Sequence, residues 1–283
     1  LHVLRFRRDG IEALMRAVNA TGYGLTFGVH SRIDETIQHV TALARAGNVY
    51  VNRNLVGAVV GVQPFGGHGL SGTGPKAGGP LYLRRLLAAR PASTGLPAGT
   101  APAPLRAPLR AWAAWLAGRG EAGAAAEAEA LAAITPAGLA LELPGPVGER
   151  NAYATEPRGS VLCHAADAAT LHRAVSAALA AGNRALIAAG GTRLGAPLPP
   201  ALAAWVREAG PAALPEVQAV LFGGTEEALK ALAQQLASLD GPIVPVHVAD
   251  AQTGFPAEFL LLERSVSTNT AAAGGNAKLM MLG

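Results

Sequence analysis

The sequence predicts an α/β fold in two blocks, on three observations. Short β-rich runs alternate with helical runs over the first ninety or so residues. The same alternation returns more regularly from Gly159 to Val248. Between them, residues 91 to about 104 are rich in Pro, Ala, Gly and Thr and carry no apolar period, as a linker does.

In the first block, Leu1-His2-Val3-Leu4-Arg5-Phe6 alternates as a strand does. A chain that opens mid-strand, without Met, predicts polypeptide upstream. Asp9 is placed to cap a helix running to about Ala20, with Ile11, Leu14, Met15 and Val18 inward. Turn chemistry from Asn19 to Gly24 ends it. Leu25 to His30 is predicted as a strand, Ile33 to Ala46 as a helix with Ile37, Val40, Leu43 and Ala44 inward, and Asn48 to Asn52 as a strand. Gly47 is the expected stop between the last two. Residues 54–79 read as a glycine-dense loop, and Pro80 to Leu87 as renewed order.

After the linker, Leu105 to about Ala133 reads as helix, interrupted near Gly118-Arg119-Gly120. Trp112 and Trp115 stand three apart on one face of it, the spacing of a core or interface pair. The second block then predicts strands at Val161–Cys163, Ala185–Ala189, Val217–Phe222 and Ile243–Val248. Helices are predicted at Ala168–Ala181, Pro200–Ala209 and Thr225–Leu239. Strands alternating with helices predict a parallel sheet with covering helices, a Rossmann-like domain. The tail from Phe259 adds a strand and then small residues, Thr270 to Ala277.

Composition excludes several classes. Hydrophobic residues make up 50% of the 283 and charged ones 15%, too apolar for a disordered chain. No apolar run reaches the roughly 18 residues that span a bilayer, and no basic-then-apolar leader opens the chain, so a soluble, unsecreted protein is expected. One cysteine permits no internal disulfide and fits a reducing compartment. The net charge of +4 is scattered, with only Arg5, Arg7 and Arg8 close together and no aromatic interleaving, so no nucleic-acid partner is expected. The histidines lack ligand spacing, and no metal is assigned.

Gly67-His68-Gly69-Leu70-Ser71-Gly72 matches the dinucleotide fingerprint by letter. That motif needs a buried strand before it and a long helix after it, whereas Pro64-Phe65 precede and Thr73-Gly74-Pro75 follow. Gly69 to Lys76 fails as a phosphate loop, because Pro75 splits Gly74 from Lys76 and Ala77 stands where a hydroxyl is needed. Two readings of the loop stay open on the residues alone. Its glycines can present backbone amides to an anion, or it can be a structural surface loop.

The run Asn52-Arg53-Asn54-Leu55-Val56-Gly57-Ala58-Val59-Val60-Gly61-Val62-Gln63-Pro64-Phe65-Gly66-Gly67 resembles the aldehyde dehydrogenase superfamily near its C-terminus. Gly22-Tyr23-Gly24-Leu25 and Gly47-Asn48-Val49-Tyr50-Val51-Asn52 resemble it in the same order. The continuation Leu70 to Pro80 resembles the glutamate-semialdehyde (pyrroline-5-carboxylate) dehydrogenases, and above all the bifunctional proline utilisation A proteins. The tail Glu263 to Ala277 resembles the end of the long members of that family.

The resemblance implies an aldehyde-dehydrogenase-like C-terminal piece over residues 1–90, then a linker and helix over 91–120. An aldehyde-dehydrogenase-like, non-catalytic, Rossmann-like domain would follow over 121–283, with a tail at 263–283. It implies oxidation of L-glutamate γ-semialdehyde to L-glutamate in proline catabolism. The backbone amides of Gly57 and Ala58 would hold the substrate's carboxylate, and Phe65 would pack against its chain, unless Phe65 is simply a core residue. The catalytic cysteine and glutamate would lie upstream, leaving this stretch inactive alone. Upstream too would be the domain that binds NAD and a proline dehydrogenase module that binds FAD. A cytoplasmic, homo-oligomeric parent is implied, with membrane association open. The second domain and tail would cover the tunnel through which the intermediate passes. A channelling module without activity of its own is the other reading.

Cys163 sits in a strand of the second domain, where a buried inert thiol is expected. Its neighbour His164 would point to the opposite face, so no Cys–His pair is expected. His164-Ala165-Ala166-Asp167 stands where a dinucleotide domain has its glycine fingerprint, and no cofactor site is assigned there.

Overall fold

The computed structural model of the chain describes residues 2–88, 91, 95–100, 102–250 and 254–271. The first elements are α1 (Ile11–Asn19), β1 (Tyr23–Gly24), β2 (Thr26–Val29), α2 (Asp34–Leu43), β3 (Asn48–Val51) and β4 (His68–Gly69). Then come α3 (Ala103–Gly118), α4 (Ala122–Ile134), β5 (Ala140–Leu143), β6 (Glu149–Pro157), β7 (Ser160–Ala165) and α5 (Ala168–Ala180). The last are β8 (Arg184–Ala188), β9 (Val206–Ala209), β10 (Val217–Gly223), α6 (Glu226–Ala237), β11 (Val246–Val248) and β12 (Leu261–Asn269). The architecture is α/β, as predicted.

Two compact units divide the chain, and they are not sequential. One takes residues up to Tyr82, Leu141–Ala154 and those from Glu263 onward; the other takes Leu83–Ala140 and Thr155–Leu262. The sequence suggested cuts in order at 90 and 120. The chain instead returns twice to the first unit, each time with a strand that carries polar residues inward.

The first unit is built on a five-stranded sheet ordered β2-β3-β12-β6-β5, in which β2, β3 and β12 run parallel. All four residues of β3 are buried, as a central strand requires. Met15 from α1 and Val40 and Ala44 from α2 and its end cover Val29, Val49 and Val51. Three expectations fail here. Val18 is exposed rather than inward, because the α1 face that meets α2 is centred on Met15. Asp9 makes no cap; Gly10 holds the N-cap position without a side-chain bond. Residues 2–6 form no strand, with Val3 and Phe6 exposed, since no described strand offers them a ladder.

The second unit carries an all-parallel sheet with β7 at its centre, β8 then β9 to one side, and β10 then β11 to the other. That is the Rossmann-like order, with its reversal between β7 and β10. The alanine-rich α5 is buried along nearly its whole length, and Trp112 and Leu116 of α3 pack in the same core. Trp112 stacks on Trp115 at 4.9 Å between ring centroids, and its Nε1–H donates to Ser176 Oγ at 3.0 Å. Where a helix was predicted from Pro200 to Ala209, the chain makes a 3-10 turn at Pro200–Leu202 and then β9. Val206–Ala209 take their hydrogen bonds from the edge of β8, which a helix would have to forgo.

Asp167 caps α5: its Oδ1 accepts from Thr170 N at 2.8 Å and its Oδ2 from Thr170 Oγ1 at 2.8 Å. The Thr170 N–H bond holds the Asp167 carboxyl below its ordinary value. A group depressed in this way stabilises the fold above its ordinary value, and that contribution is lost as pH falls through the folded value. Asp167→Ala is expected to cost about 1 kcal/mol at neutral pH and less in acid, read as a shift in melting temperature.

Candidate functional site

The three residues singled out from the sequence lie on one loop of the first unit. Gly57 and Ala58 are exposed, and Gly57 has φ +83°, a conformation that L side chains rarely adopt. A Cβ on Gly57 would meet no heavy atom within 4 Å. Among the described residues, neither Gly57 nor Ala58 donates its N–H within the chain. Phe65 is partly buried at the base of the loop and pairs with Ala77, each N–H donating to the other's carbonyl at 3.0 and 2.8 Å. The structure therefore puts the two small residues out on the loop and the aromatic at its anchored end.

Sequence reasoning missed what holds this loop. At its base, Asn48 of β3 donates Nδ2–H to Pro64 O at 2.9 Å, and its Oδ1 accepts from Gly66 N at 3.1 Å. Lys76 Nζ donates to Asn48 Oδ1 at 2.8 Å and to Gly66 O at 2.7 Å. Every peptide flanking Phe65 is thus tied. Gly47 is required beneath it, because a Cβ there would collide with Gly66 O. Lys76 is 3% exposed, and burial pulls its pKa down to about 7, against a smaller opposite push from Glu263.

Glu263 of β12 closes this cluster. Its Oε2 accepts from Lys76 N at 2.8 Å and its Oε1 from the Tyr153 hydroxyl at 2.7 Å. Its carbonyl accepts from His68 Nε2 at 2.9 Å, which fixes the proton on that nitrogen. Burial, then the Glu263 charge, pushes the Tyr153 hydroxyl well above its ordinary value, so it remains a donor.

The outer part of the loop has its own tether. Val59 N donates to Gln63 Oε1 at 3.1 Å, and Gln63 N to Val59 O at 2.8 Å. Gln63 Nε2 donates to Glu149 Oε1, and Arg53 Nη1 to Glu149 Oε2. Asn48, Lys76 and Glu263 stood inside motifs noted above, without a role. Glu149 and Tyr153 carried no motif at all.

The loop from Gly67 to Gly72 continues through turns and the short β1–β4 pairing, with neither a long strand before it nor a helix after it. In the second unit, the β7–α5 turn has no glycine. Ala166 N donates to Gly223 O at 2.8 Å, the Asp167 carboxylate fills the α5 N-terminus, and His164 stacks on Phe222 at 4.7 Å. Cys163 points into the opposite core, where burial raises its thiol pKa well above the ordinary range. It forms no pair with His164. Among the described residues no group of three or more His, Cys, Asp or Glu could hold a metal, and no helix is long and apolar enough to cross a membrane.

Comparison with known proteins gives the following. The aldehyde dehydrogenase family matches residues 1–90. The Bifunctional protein PutA of Rhizobium meliloti is 45% identical over all of this chain, which covers 24% of that protein. Its counterpart from Salmonella typhimurium is 47% identical over all of this chain and 22% of that protein. The 1-pyrroline-5-carboxylate dehydrogenase of Geobacillus thermodenitrificans is 50% identical over 27% of this chain and 15% of its own length. The solved structure of Proline Utilization A from Corynebacterium freiburgense covers 92% of this chain and 24% of that one, with a TM-score of 0.58 at 22% identity, a likeness of fold. The chain thus spans about a quarter of the length of the bifunctional relatives it matches.

Proposed function

We propose, from a chain that matches the C-terminal region of bifunctional PutA proteins along its whole length at 45–47% identity, that it is the closing part of an NAD-dependent dehydrogenase oxidising L-glutamate γ-semialdehyde to L-glutamate. The observation that carries this reading is the pair of free amides at Gly57 and Ala58, on an exposed turn whose two ends are tied down. Such a turn suits a carboxylate. Two N–H donors not spent within the chain, on a loop held at both ends, can bind an anion with reduced ordering cost. Phe65, fixed on both sides, offers an aromatic face to the aldehyde's carbon chain.

The reacting groups are assigned elsewhere. Cys163 is buried and neutral, and cannot serve as a nucleophile. The described residues do not fit a dinucleotide, because the one Rossmann-like turn is crowded by side chains and its helix N-terminus is already capped. NAD, like the FAD of a proline dehydrogenase module, belongs in this reading to upstream polypeptide. What this chain supplies is substrate binding and orientation. The test is the complete protein supplied with pyrroline-5-carboxylate, which hydrolyses to the semialdehyde. NADH and glutamate should form together, and no turnover with this substrate would overturn the reading.

The second unit and the tail are read as a cover over the intermediate's path. The tail's small-residue run lies outside the described residues from Ala272 on. A deletion from Ser265 to Gly283 would remove most of β12, which lies between β3 and β6, and so would damage the sheet as well as the cover. The informative truncation begins after Ala271. It should release free intermediate into solution without a lag while sparing proline oxidation; an intact lag would count against a cover.

A further inference from the structure

Resting on the anchor reading above, we infer that Glu149 is a positioning residue that sets the affinity for the substrate's amino-acid headgroup, by tying both ends of the Gly57–Ala58 loop to one carboxylate. The loop leaves β3 at Arg53 and returns at Gln63, ten positions later, and each of these donates to a different oxygen of Glu149. Between them, Gln63 Oε1 holds Val59 N, so Gly57 and Ala58 sit inside a closed ring of bonds. Arg53 is further fixed by lying over the Tyr50 ring, 5.2 Å from its centroid.

Glu149 is itself held. Asn151 Nδ2 donates to its Oε1 at 3.0 Å, and Ser267 Oγ of β12 donates to Asn151 Oδ1 at 2.7 Å. Gly148 O accepts from Thr270 N at 2.8 Å at the same end of β6. The ion pair is mostly buried, with side chains 16% and 15% exposed for Arg53 and Glu149. A carboxylate suits this place because it only accepts. Every neighbour aims a donor at it, and Gln63 can then keep its own oxygen for Val59 N. Without the brace, the headgroup would have to order the loop as it binds, and binding would weaken.

The experiment uses the complete protein. Glu149→Gln keeps the shape but turns an N–H toward Gln63 or Arg53, so the ring of bonds through this side chain breaks at one end or the other. The KM for glutamate semialdehyde should rise about 10-fold with kcat within about twofold, while the KM for NAD and for propanal, which has no headgroup, stays unchanged. The swap of E149Q with Q63E restores the match toward Val59 N and Arg53 but leaves Asn151 Nδ2–H facing a donor, and should bring KM part of the way back to wild type. Should E149Q fail to fold, R53M cuts the same ring at its other end and is read in the same way. An unchanged semialdehyde KM, or an equal rise for propanal, would overturn the inference. A wild type that oxidises no semialdehyde would overturn the proposed function and this inference with it. A wild type that does, beside an unaffected E149Q, would overturn this inference alone.

Discussion

Gly57→Val in the complete protein is expected to raise the KM for glutamate semialdehyde about 100-fold, leaving the KM for NAD unchanged. The size follows from two terms. A charge-assisted bond from a backbone amide to a carboxylate contributes about 1.5–3 kcal/mol, and the valine side chain would block the approach to both amides. The branched residue also resists the left-handed backbone at φ +83°, at roughly 1–2 kcal/mol, so the turn itself would shift. Because a Cβ at this position meets nothing within 4 Å, the packing of the chain is not the casualty. Gly57→Ala separates the terms: it carries the backbone strain with little of the bulk, and should fall between wild type and valine. Steady-state kinetics decide the matter, and a valine variant with the wild-type KM would remove the anchor assignment.

The loop was legible in the sequence; its support was not. The run from Asn52 to Gly67 carries a resemblance, and its density of glycine reads as a loop. The two strands that brace it break the pattern by which strands are recognised. Along β6 the inward residues are Asn151, Tyr153 and Thr155, while Ala152 and Ala154 are less buried. Along β12, Glu263, Ser265 and Ser267 are buried and Arg264, Val266 and Thr268 less so. The usual signal is apolar residues inward at every second position. Here Glu263 and Ser265 bond the loop, Asn151 and Tyr153 bond the residues that hold it, and Thr155 bonds Pro136 O and Leu139 N, so the inward face is polar and the alternation is inverted. Glu149 stands at the head of such a strand, 96 residues from Arg53 and 86 from Gln63.

The second unit was easier to read for the opposite reason. Val161, Leu162 and Cys163, and likewise Val220, Leu221 and Phe222, are buried on both faces, and the helices between the strands follow Asp167 and Thr225, both good caps. The one wrong element, Pro200–Ala209, begins with Ala201-Leu202-Ala203-Ala204, which favours helix locally. Val206–Ala209 are only four residues, too few for a period to outweigh that preference. The edge of β8 decides it instead.

Lys76→Met should change how the stability of the protein depends on pH, and the sign follows from the buried amine. In the folded chain Lys76 loses its proton near pH 7, whereas an exposed lysine keeps it to about 10.5. Between those values the unfolded state holds a proton that the folded state lacks, so this group adds stability as pH rises, by up to about 1.4 kcal/mol per unit. The geometry agrees: Nζ meets two acceptors, Asn48 Oδ1 and Gly66 O, which match the two N–H groups of a neutral amine. The charged or titratable neighbours are Glu263 from β12, Tyr153 from β6 and, against the Glu263 backbone, His68 from β4. All three are present in wild type and variant, so the difference between the two largely isolates Lys76. Melting temperatures of the complete protein from pH 6.5 to 10 should show wild type gaining on the methionine variant as pH rises. A constant gap would mean that Lys76 stays charged in the fold. The Phe65 segment would then be held by a buried ammonium, with a third N–H left to satisfy, and the reading of this clamp as a neutral one would fall.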